Sequence, residues 1–291
     1  AIPAADLLAT LQRCPVLSVN GRPYLRLEQV GSGGSSKVFR VLGPPPRFCM
    51  YALKKVKLPR GDPAMQAMYE NEIQLLQRLK GNPCVIELLD AQLEASSNTL
   101  LMVMELGEID LAKRIEQQRQ RDGRLSDNFI RLTWQQMLEA VHVVHSQRIV
   151  HSDLKPANFL FVRGTLKLID FGIAKAISSD TTNIVRDSQV GTLNYMAPEA
   201  LLAHDAPPAS AASAAAIKLG RASDIWSLGC ILYQMVHGRT PFADLGFLQK
   251  LQSIPDPSFP IPFPPIANAA LQDVLLKCLL RVASSRPPID G

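Results

Sequence analysis

Alternation of apolar and polar side chains over Leu25–Val30, Lys37–Leu42 and Cys49–Lys57 predicts strands that each turn one face to a core. Between the first two lies Gly31-Ser32-Gly33-Gly34-Ser35-Ser36, a run suited to joining antiparallel neighbours. Asp62 and Pro63 then supply an N-cap and a first-turn proline; Met65, Met68, Tyr69, Ile73, Leu76 and Leu79 fall near helical spacing, and Gly81 is a stop. Leu100–Met104 adds another strand, and Glu105-Leu106-Gly107 reads as a linker. The first part of the chain is therefore expected to be a small antiparallel sheet with one helix beside it. Residues 1–22 read as a helix-like or loose docked segment that ends in a Gly21-Arg22 turn.

Beyond the linker the period becomes helical. Ser126-Asp127 marks a start, and Ile130, Trp134, Met137, Leu138, Val141 and Val144 form an apolar stripe. A hairpin is predicted next, from Asn158–Val162, the turn Arg163-Gly164, and Thr165–Asp170. Asn158 and Asp170 are equidistant from Gly164, so they belong at the same end of that hairpin. Residues 203–216 are rich in Ala, Ser and Pro and read as a solvent loop. Helical patterns resume near Ser223, and the proline-rich Ile254–Pro265 is expected to connect late helices irregularly.

Composition narrows the class. A length of 291 residues suggests two domains or lobes, at roughly 150 residues each. With 47% hydrophobic and 20% charged residues, pervasive disorder, collagen and coiled coil are excluded. A net charge of +5 is too small to demand nucleic acid, and phosphate-bearing ligands are the milder inference. The odd set Cys14, Cys49, Cys84, Cys230 and Cys278 contains no C-x-x-C pair, which argues against disulfide frameworks and zinc and for a reducing, intracellular setting. No apolar run is long enough for a membrane span, and the first residues lack the features of a secretory signal. Neither nucleic acid nor membrane is expected as a partner. The absence of an initial Met and the end soon after a helix-like run suggest a piece of a longer chain.

The chemistry concentrates in His151-Ser152-Asp153-Leu154-Lys155-Pro156-Ala157-Asn158. Asn158 and Asp170 offer oxygen ligands to a hard divalent cation such as magnesium, although a turn Asn and a capping Asp would look the same singly. Asp153 can accept a proton from an attacking hydroxyl, and Lys155 can neutralise a transferring phosphate. The combination suits phosphoryl transfer.

These residues resemble the catalytic loop of eukaryotic protein kinases, and Asp170-Phe171-Gly172 resembles their metal-binding triplet. Further pieces follow in kinase order: Gly31-x-Gly33-x-x-Ser36-x-Val38, Tyr51-Ala52-Leu53-Lys54, Glu72, Ala197-Pro198-Glu199 and Asp224-Ile225-Trp226-Ser227-Leu228-Gly229. The resemblance implies an α+β, two-lobed protein kinase fold, with a five-stranded antiparallel sheet plus helix and a larger, mainly helical lobe. It implies an extension at 1–23, an N-lobe at 24–104, a hinge at 105–107 and a C-lobe at 108–291, with an activation segment at 170–199 and a low-complexity loop at 203–220. The glycines let backbone amides approach phosphate without Cβ obstruction. Lys54, costly on an inward strand face unless paired, is expected to pair with Glu72 and ATP phosphates.

The resemblance further implies ATP binding by Gly31 through Ser36, Val38, Ala52, Lys54, Met104, Glu105, Leu106, Gly107 and Leu160, with Met104 as gatekeeper before the hinge. Asp153, Lys155, Lys54 and Glu72 take the catalytic roles, and Asn158 and Asp170 hold magnesium. Glu199 is expected to pair with Arg286, and Asp224 to hold the catalytic loop; both are assigned to folding.

A narrower resemblance, to the monopolar-spindle (TTK) dual-specificity kinases, is carried by GSGGSSKVF at 31–39, NEI at 71–73, MVMELGEIDL at 102–111, EAVHVVH at 139–145, HSDLKPANFL at 151–160, LKLIDFGIA at 166–174 and DSQVGTLNYMAPEA at 187–200. Ser36 in place of a third glycine, Ser152 in place of the usual arginine and the strand-like Leu17–Tyr24 fit that group. It implies a Ser/Thr kinase, also acting on Tyr, of the spindle assembly checkpoint. Its substrates would be kinetochore or checkpoint proteins, its location nucleus, cytoplasm, kinetochore or spindle. Transient self-association would support autophosphorylation, with Thr181, Thr182 and Thr192 as candidates. Thr192 has a second reading, as a hydrogen-bond partner of Asp153 and Lys155. Ser152 cannot grip an activating phosphate as arginine would, which leaves Lys175 or Arg186 for that task. The competing classes are an inactive ATP-binding scaffold and a small-molecule kinase. The presence of Lys54, Glu72, Asp153, Asn158 and Asp170 together opposes the first, and the docking-like 191–199 segment opposes the second.

Overall fold

The computed structural model describes residues 14–33, 36–59, 63–94, 96–170, 192–204 and 220–289. The chain divides into two compact units near Glu108, with the Val162–Gly164 turn counted in the first.

The first unit is an antiparallel sheet with one helix. Val16–Val19 (β1) pairs with Arg22–Gly33 (β2) across Asn20 and Gly21, with Val19 opposite Arg22. Both turn residues have positive φ, 49° and 76°. Asn-Gly is the pair that accepts such a twist-matched two-residue turn most readily, so the turn sits one residue earlier than the predicted Gly21-Arg22. Ser36–Leu42 (β3), Met50–Lys57 (β4), Leu88–Glu94 (β5) and Thr99–Glu105 (β6) complete the order β1-β2-β3-β4-β6-β5. The sheet thus has six strands rather than five, because the 14–22 segment adds β1 to the edge of β2. Thr99–Met104 are all buried, as expected of a strand flanked on both sides, whereas β5 is half polar because it lies at an edge.

The helix Pro63–Arg78 (α1) buries Glu72, Leu75 and Leu76 and packs against β5. Gly81, at φ 82°, turns the chain out of it. Val19, Tyr24, Phe39, Val41, Leu53, Leu101 and Val103 form one apolar cluster in the sheet.

The second unit is mainly helical. Ile109–Asp110 (β7), Phe159–Val162 (β8) and Thr165–Leu168 (β9) make a small sheet. Leu111–Asp122 (α2) is capped by the Asp110 carboxylate, which accepts the Lys113 amide at 2.9 Å. Asp127–Ser146 (α3) starts where the Ser126 hydroxyl accepts the Phe129 amide. Its buried stripe is Ile130, Thr133, Met137, Ala140, Val141, Val144 and His145, while the predicted Trp134 and Leu138 are only half-buried. Pro198–His204 (α4) covers the first residues of the predicted 203–220 loop; 205–219 lie outside the described residues.

Arg221–His237 (α5) is buried almost all round from Ser223 to Tyr233, the mark of a central helix. Phe247–Ser253 (α6) and Ala269–Cys278 (α7) follow, and no helix or strand forms between Ile254 and Asn268, where the prolines remove backbone donors. Among the described residues no helix is long and apolar enough to cross a membrane.

Candidate active site

The first unit carries the glycine hairpin and Lys54. β2 runs on through Gly31, Ser32 and Gly33, with Gly31 opposite Val38 and Gly33 opposite Ser36, so most of the predicted connecting run is paired strand. The Ser36 hydroxyl bonds the Gly33 carbonyl at 3.2 Å; Gly34 and Ser35 lie outside the described residues. Lys54 sits on β4 between Val38 of β3 and Met102 of β6. Glu72 is 2% exposed on α1. Ala52 and Met104 face each other across β4 and β6, and both are buried. Glu105 is held locally: its Oε1 accepts the Glu87 amide at 2.8 Å and its own amide donates to Glu87 O. Leu106 and Gly107 follow it, half-buried.

The second unit carries the loop from His151 to Asn158, and one carboxylate organises it. Asp224 on α5 is wholly buried; its Oδ2 accepts the His151 amide at 2.9 Å and its Oδ1 the Ser152 amide at 2.8 Å. Hydrogen bonds to a charged group contribute roughly 1.5–3 kcal/mol each, which offsets a desolvation cost of several kcal/mol. Ser152 has φ 66°, a left-handed conformation that costs a residue with a Cβ roughly 1–2 kcal/mol. Its bond to Asp224 holds it there. His151 Nδ1 accepts the Asp153 amide at 3.3 Å, so Nε2 carries the proton and donates to the Asp170 carbonyl. Burial lowers the pKa of this ring below its ordinary value, outweighing the Asp224 carboxylate, and the ring is neutral.

Lys155 Nζ bonds both Asp153 Oδ2 and Thr192 Oγ1, each at 3.3 Å. Asn158 ends a 3-10 turn, Pro156–Asn158, and its carbonyl accepts the Ile169 amide at 2.9 Å, which brings Asn158 and Asp170 to one end of the β8–β9 hairpin. Asn158 is 5% exposed, and its Oδ1 is buried without a hydrogen-bond partner among the described residues. An orphaned buried acceptor costs about 1–3 kcal/mol, a cost that folding alone does not explain. An amide and a carboxylate oxygen suit a hard cation whose remaining ligands are water and phosphate. No group of three or more His, Cys, Asp or Glu among the described residues is placed to hold a metal by itself.

Leu160 lies on β8 opposite Asp110. Glu199 pairs bidentately with Arg286, at 2.7 and 2.9 Å, and accepts the Ser223 hydroxyl at 2.7 Å. Phe171, Gly172, Lys175, Thr181, Thr182 and Arg186 lie outside the described residues. Sequence reasoning overlooked His145, whose ring reaches Asp224; the available signal was its position one helical turn beyond Val141 on the apolar stripe.

Comparison with known proteins bears on the same residues. The protein kinase domain family matches residues 24–290. The chain is 49% identical over 284 residues to the serine/threonine-protein kinase mph1 of Schizosaccharomyces pombe, covering 91% of this chain. It is 46% identical over 272 residues to the dual specificity protein kinase TTK of Mus musculus, covering 93%. To the serine/threonine-protein kinase MPS1 of Saccharomyces cerevisiae it is 41% identical over 285 residues, covering 94%. The matches span 41%, 31% and 36% of those three proteins.

Proposed function

The chain belongs to the protein kinase family, and on that premise we propose that it transfers the γ-phosphate of ATP to Ser and Thr of proteins, and to Tyr as a second specificity. The observation that carries this reading is Lys155 bonded at once to Asp153 and Thr192, on a loop pinned by Asp224. Asp153 accepts the proton of the attacking hydroxyl as its oxygen bonds the γ-phosphorus. The bond from that phosphorus to the β–γ bridging oxygen breaks, and ADP leaves. Lys155 holds Asp153 in place and meets charge on the transferring group. Its bond to Thr192 supports the reading of Thr192 as a hydrogen-bond partner rather than a phosphorylation site.

Asn158 and Asp170 would hold magnesium, and the orphaned Oδ1 favours that assignment. A bound magnesium ion supplies charge neutralisation on the phosphate oxygens. Gly31 to Ser36, Val38, Ala52, Lys54, Met104, Glu105, Leu106, Gly107 and Leu160 are assigned to ATP, and Glu72 to the support of Lys54. The same reading takes 24–104 and 108–291 as lobes, 105–107 as hinge and 170–199 as an activation segment, autophosphorylated at Thr181 or Thr182. The likeness to mph1, TTK and MPS1 supports a mitotic checkpoint role with kinetochore substrates.

The test is incubation of the chain with magnesium, γ-labelled ATP and a protein substrate, beside its Asp153→Ala form. The parent should label the substrate, and the variant should bind ATP yet turn over about 10²–10⁴-fold more slowly. A parent that binds ATP and transfers no label, or equal rates for both, would overturn the reading.

A further inference from the structure

A run of contacts leads from the reacting group to the far end of α5. Lys155 bonds Asp153 and Thr192, the Thr192 carbonyl accepts the Tyr195 amide at 3.1 Å, and the Tyr195 hydroxyl donates to Gln234 Oε1 at 2.7 Å. One helical turn further, about 6 Å along the axis, α5 ends at His237 and is capped by Gly238. Basic side chains meet there. The guanidinium of Arg119, from the last turn of α2, lies so close to Gly238 that a Cβ on that residue would overlap its Nη2 and Cζ. Arg119 Nη1 is buried with no hydrogen-bond partner among the described residues. A cation is favourable at the C-terminal end of a helix, which accounts for the place of the guanidinium but leaves Nη1 unsatisfied. Arg239 follows, its Nη1 on the Asp244 carboxylate. The His237 ring, 4.4 Å from that of Tyr233 between centroids, senses both arginines: burial lowers its pKa below the ordinary value, and the Arg239 and Arg119 charges lower it further. The field at the ring is positive, and the ring is neutral at pH 7.

We propose that Arg119, with His237 and Arg239 beside it, binds an acidic side chain of the protein substrate, a few residues from the hydroxyl that receives the phosphate. This rests on the kinase reading above, in which that hydroxyl meets Asp153. A peptide laid from Asp153 across Thr192 and Tyr195 comes to Gln234, and the basic group lies one turn beyond. Arg119 and His237 are half-buried and Arg239 is exposed, so the group is open to a ligand. A carboxylate suits it, because two acceptor oxygens match the planar fork of a guanidinium and give partners to donors that the fold leaves unpaired.

The test uses peptides with one Thr acceptor in which a single Glu replaces Gln at each nearby position in turn. At one position the parent should prefer Glu by about 10-fold in kcat/KM. In Arg119→Gln that preference should shrink to within about twofold of none, and Arg119→Glu should prefer Lys at the same position, an inversion that a merely structural role would not produce. Without ATP, a Glu peptide should raise the pKa of His237, read by NMR, while the Gln peptide and inorganic phosphate at equal concentration should not. A parent that treats Glu and Gln alike everywhere, a Glu preference that survives in Arg119→Gln, or a His237 ring that answers phosphate as it answers the Glu peptide would overturn the proposal. Should both variants fail to fold, the His237 titration in the parent decides the matter. A parent without transfer activity would sink the kinase reading instead, while that titration would still report whether the basic group takes the Glu peptide.

Discussion

A single hydroxyl, that of Thr192, stands between two explanations of the same position. It accepts a hydrogen bond from Lys155, which also bonds Asp153. Losing a charge-assisted bond of roughly 1.5–3 kcal/mol corresponds to about 10–100-fold in rate where the bond matters to the transition state. Thr192→Val should therefore lose turnover by that factor and Thr192→Ser should keep most of it. Steady-state kinetics, with mass spectrometry of residue 192 in the parent, check this. Equal rates for Val and Ser would remove the hydroxyl from the mechanism. Asn158 allows a sharper test, because its buried Oδ1 has no hydrogen-bond partner among the described residues and so adds no stabilising bond there. Asn158→Ala removes the cost of that orphaned acceptor, so it should not lower the melting temperature, and it should raise the magnesium concentration for half-maximal rate by roughly tenfold. An unchanged magnesium requirement would contradict the ligand assignment. Both residues were legible as candidates in the sequence, because type and spacing identify them; the partner of one, and the other's having none among the described residues, were not.

Between elements, two contacts show how neighbouring segments are held. Asn20, in the turn between β1 and β2, donates from Nδ2 to Asp90 Oδ1 at 2.6 Å and to Ala91 O at 3.0 Å, and its amide donates to the Gln92 side chain. The turn of the first hairpin thereby grips β5, the strand at the far edge of the sheet order. These bonds are exposed, so Asn20→Ala should cost about 1 kcal/mol, a melting-temperature drop of a few degrees that calorimetry would read. No drop would mean that the bonds are fully exchanged for water. Gly229 on α5 is a harder constraint: a Cβ there would stand 2.7 Å from Cys278 Cβ on α7. Gly229→Ala should destabilise by about 1–3 kcal/mol, and Cys278→Ala should not relieve it because the clash is with Cβ itself. Rescue by Cys278→Ala would place the strain elsewhere. Neither contact is visible in one sequence, because each joins segments distant along the chain.

Within the second unit as a whole, Glu199 and Arg286 join positions 87 residues apart. The guanidinium is fully buried beside Trp226, 5.1 Å from the ring, and also bonds Leu280 O and Ala222 O. Arg286→Ala would leave Glu199 partly buried without its charge partner and should destabilise by about 3–5 kcal/mol. Burial raises the pKa of Glu199, but hydrogen bonds from Arg286 and Ser223 more than offset that and hold it below its ordinary 4.5. With the folded-state value lowered, the unfolded chain takes up the proton first on acidification. The stabilisation is full above 4.5 and declines as the pH falls from there through the folded-state value. The melting-temperature gap between parent and Glu199→Gln should be constant near about pH 6 to 7 and narrow below about 4.5. A gap that stays constant in acid would show that the carboxylate charge does not matter there.

Local information was enough for most of the elements and for the identity of the chemical groups, but not for the strand Leu88–Glu94 or the helix Leu111–Asp122. Strand alternation, the Ser126 cap and the ordered motifs depend on neighbours within a few residues, and the period of side-chain direction is a property of the backbone itself. The chain could not announce the sixth strand, the rotation of the α3 stripe that buries His145 in place of Trp134, or the convergence of His145, His151 and Ser152 on Asp224. Those depend on which surfaces meet, and a buried carboxylate acquires its partners only when helix and loop close around it. The residues of the reaction are written in the chain; the aim of their side chains is a result of packing.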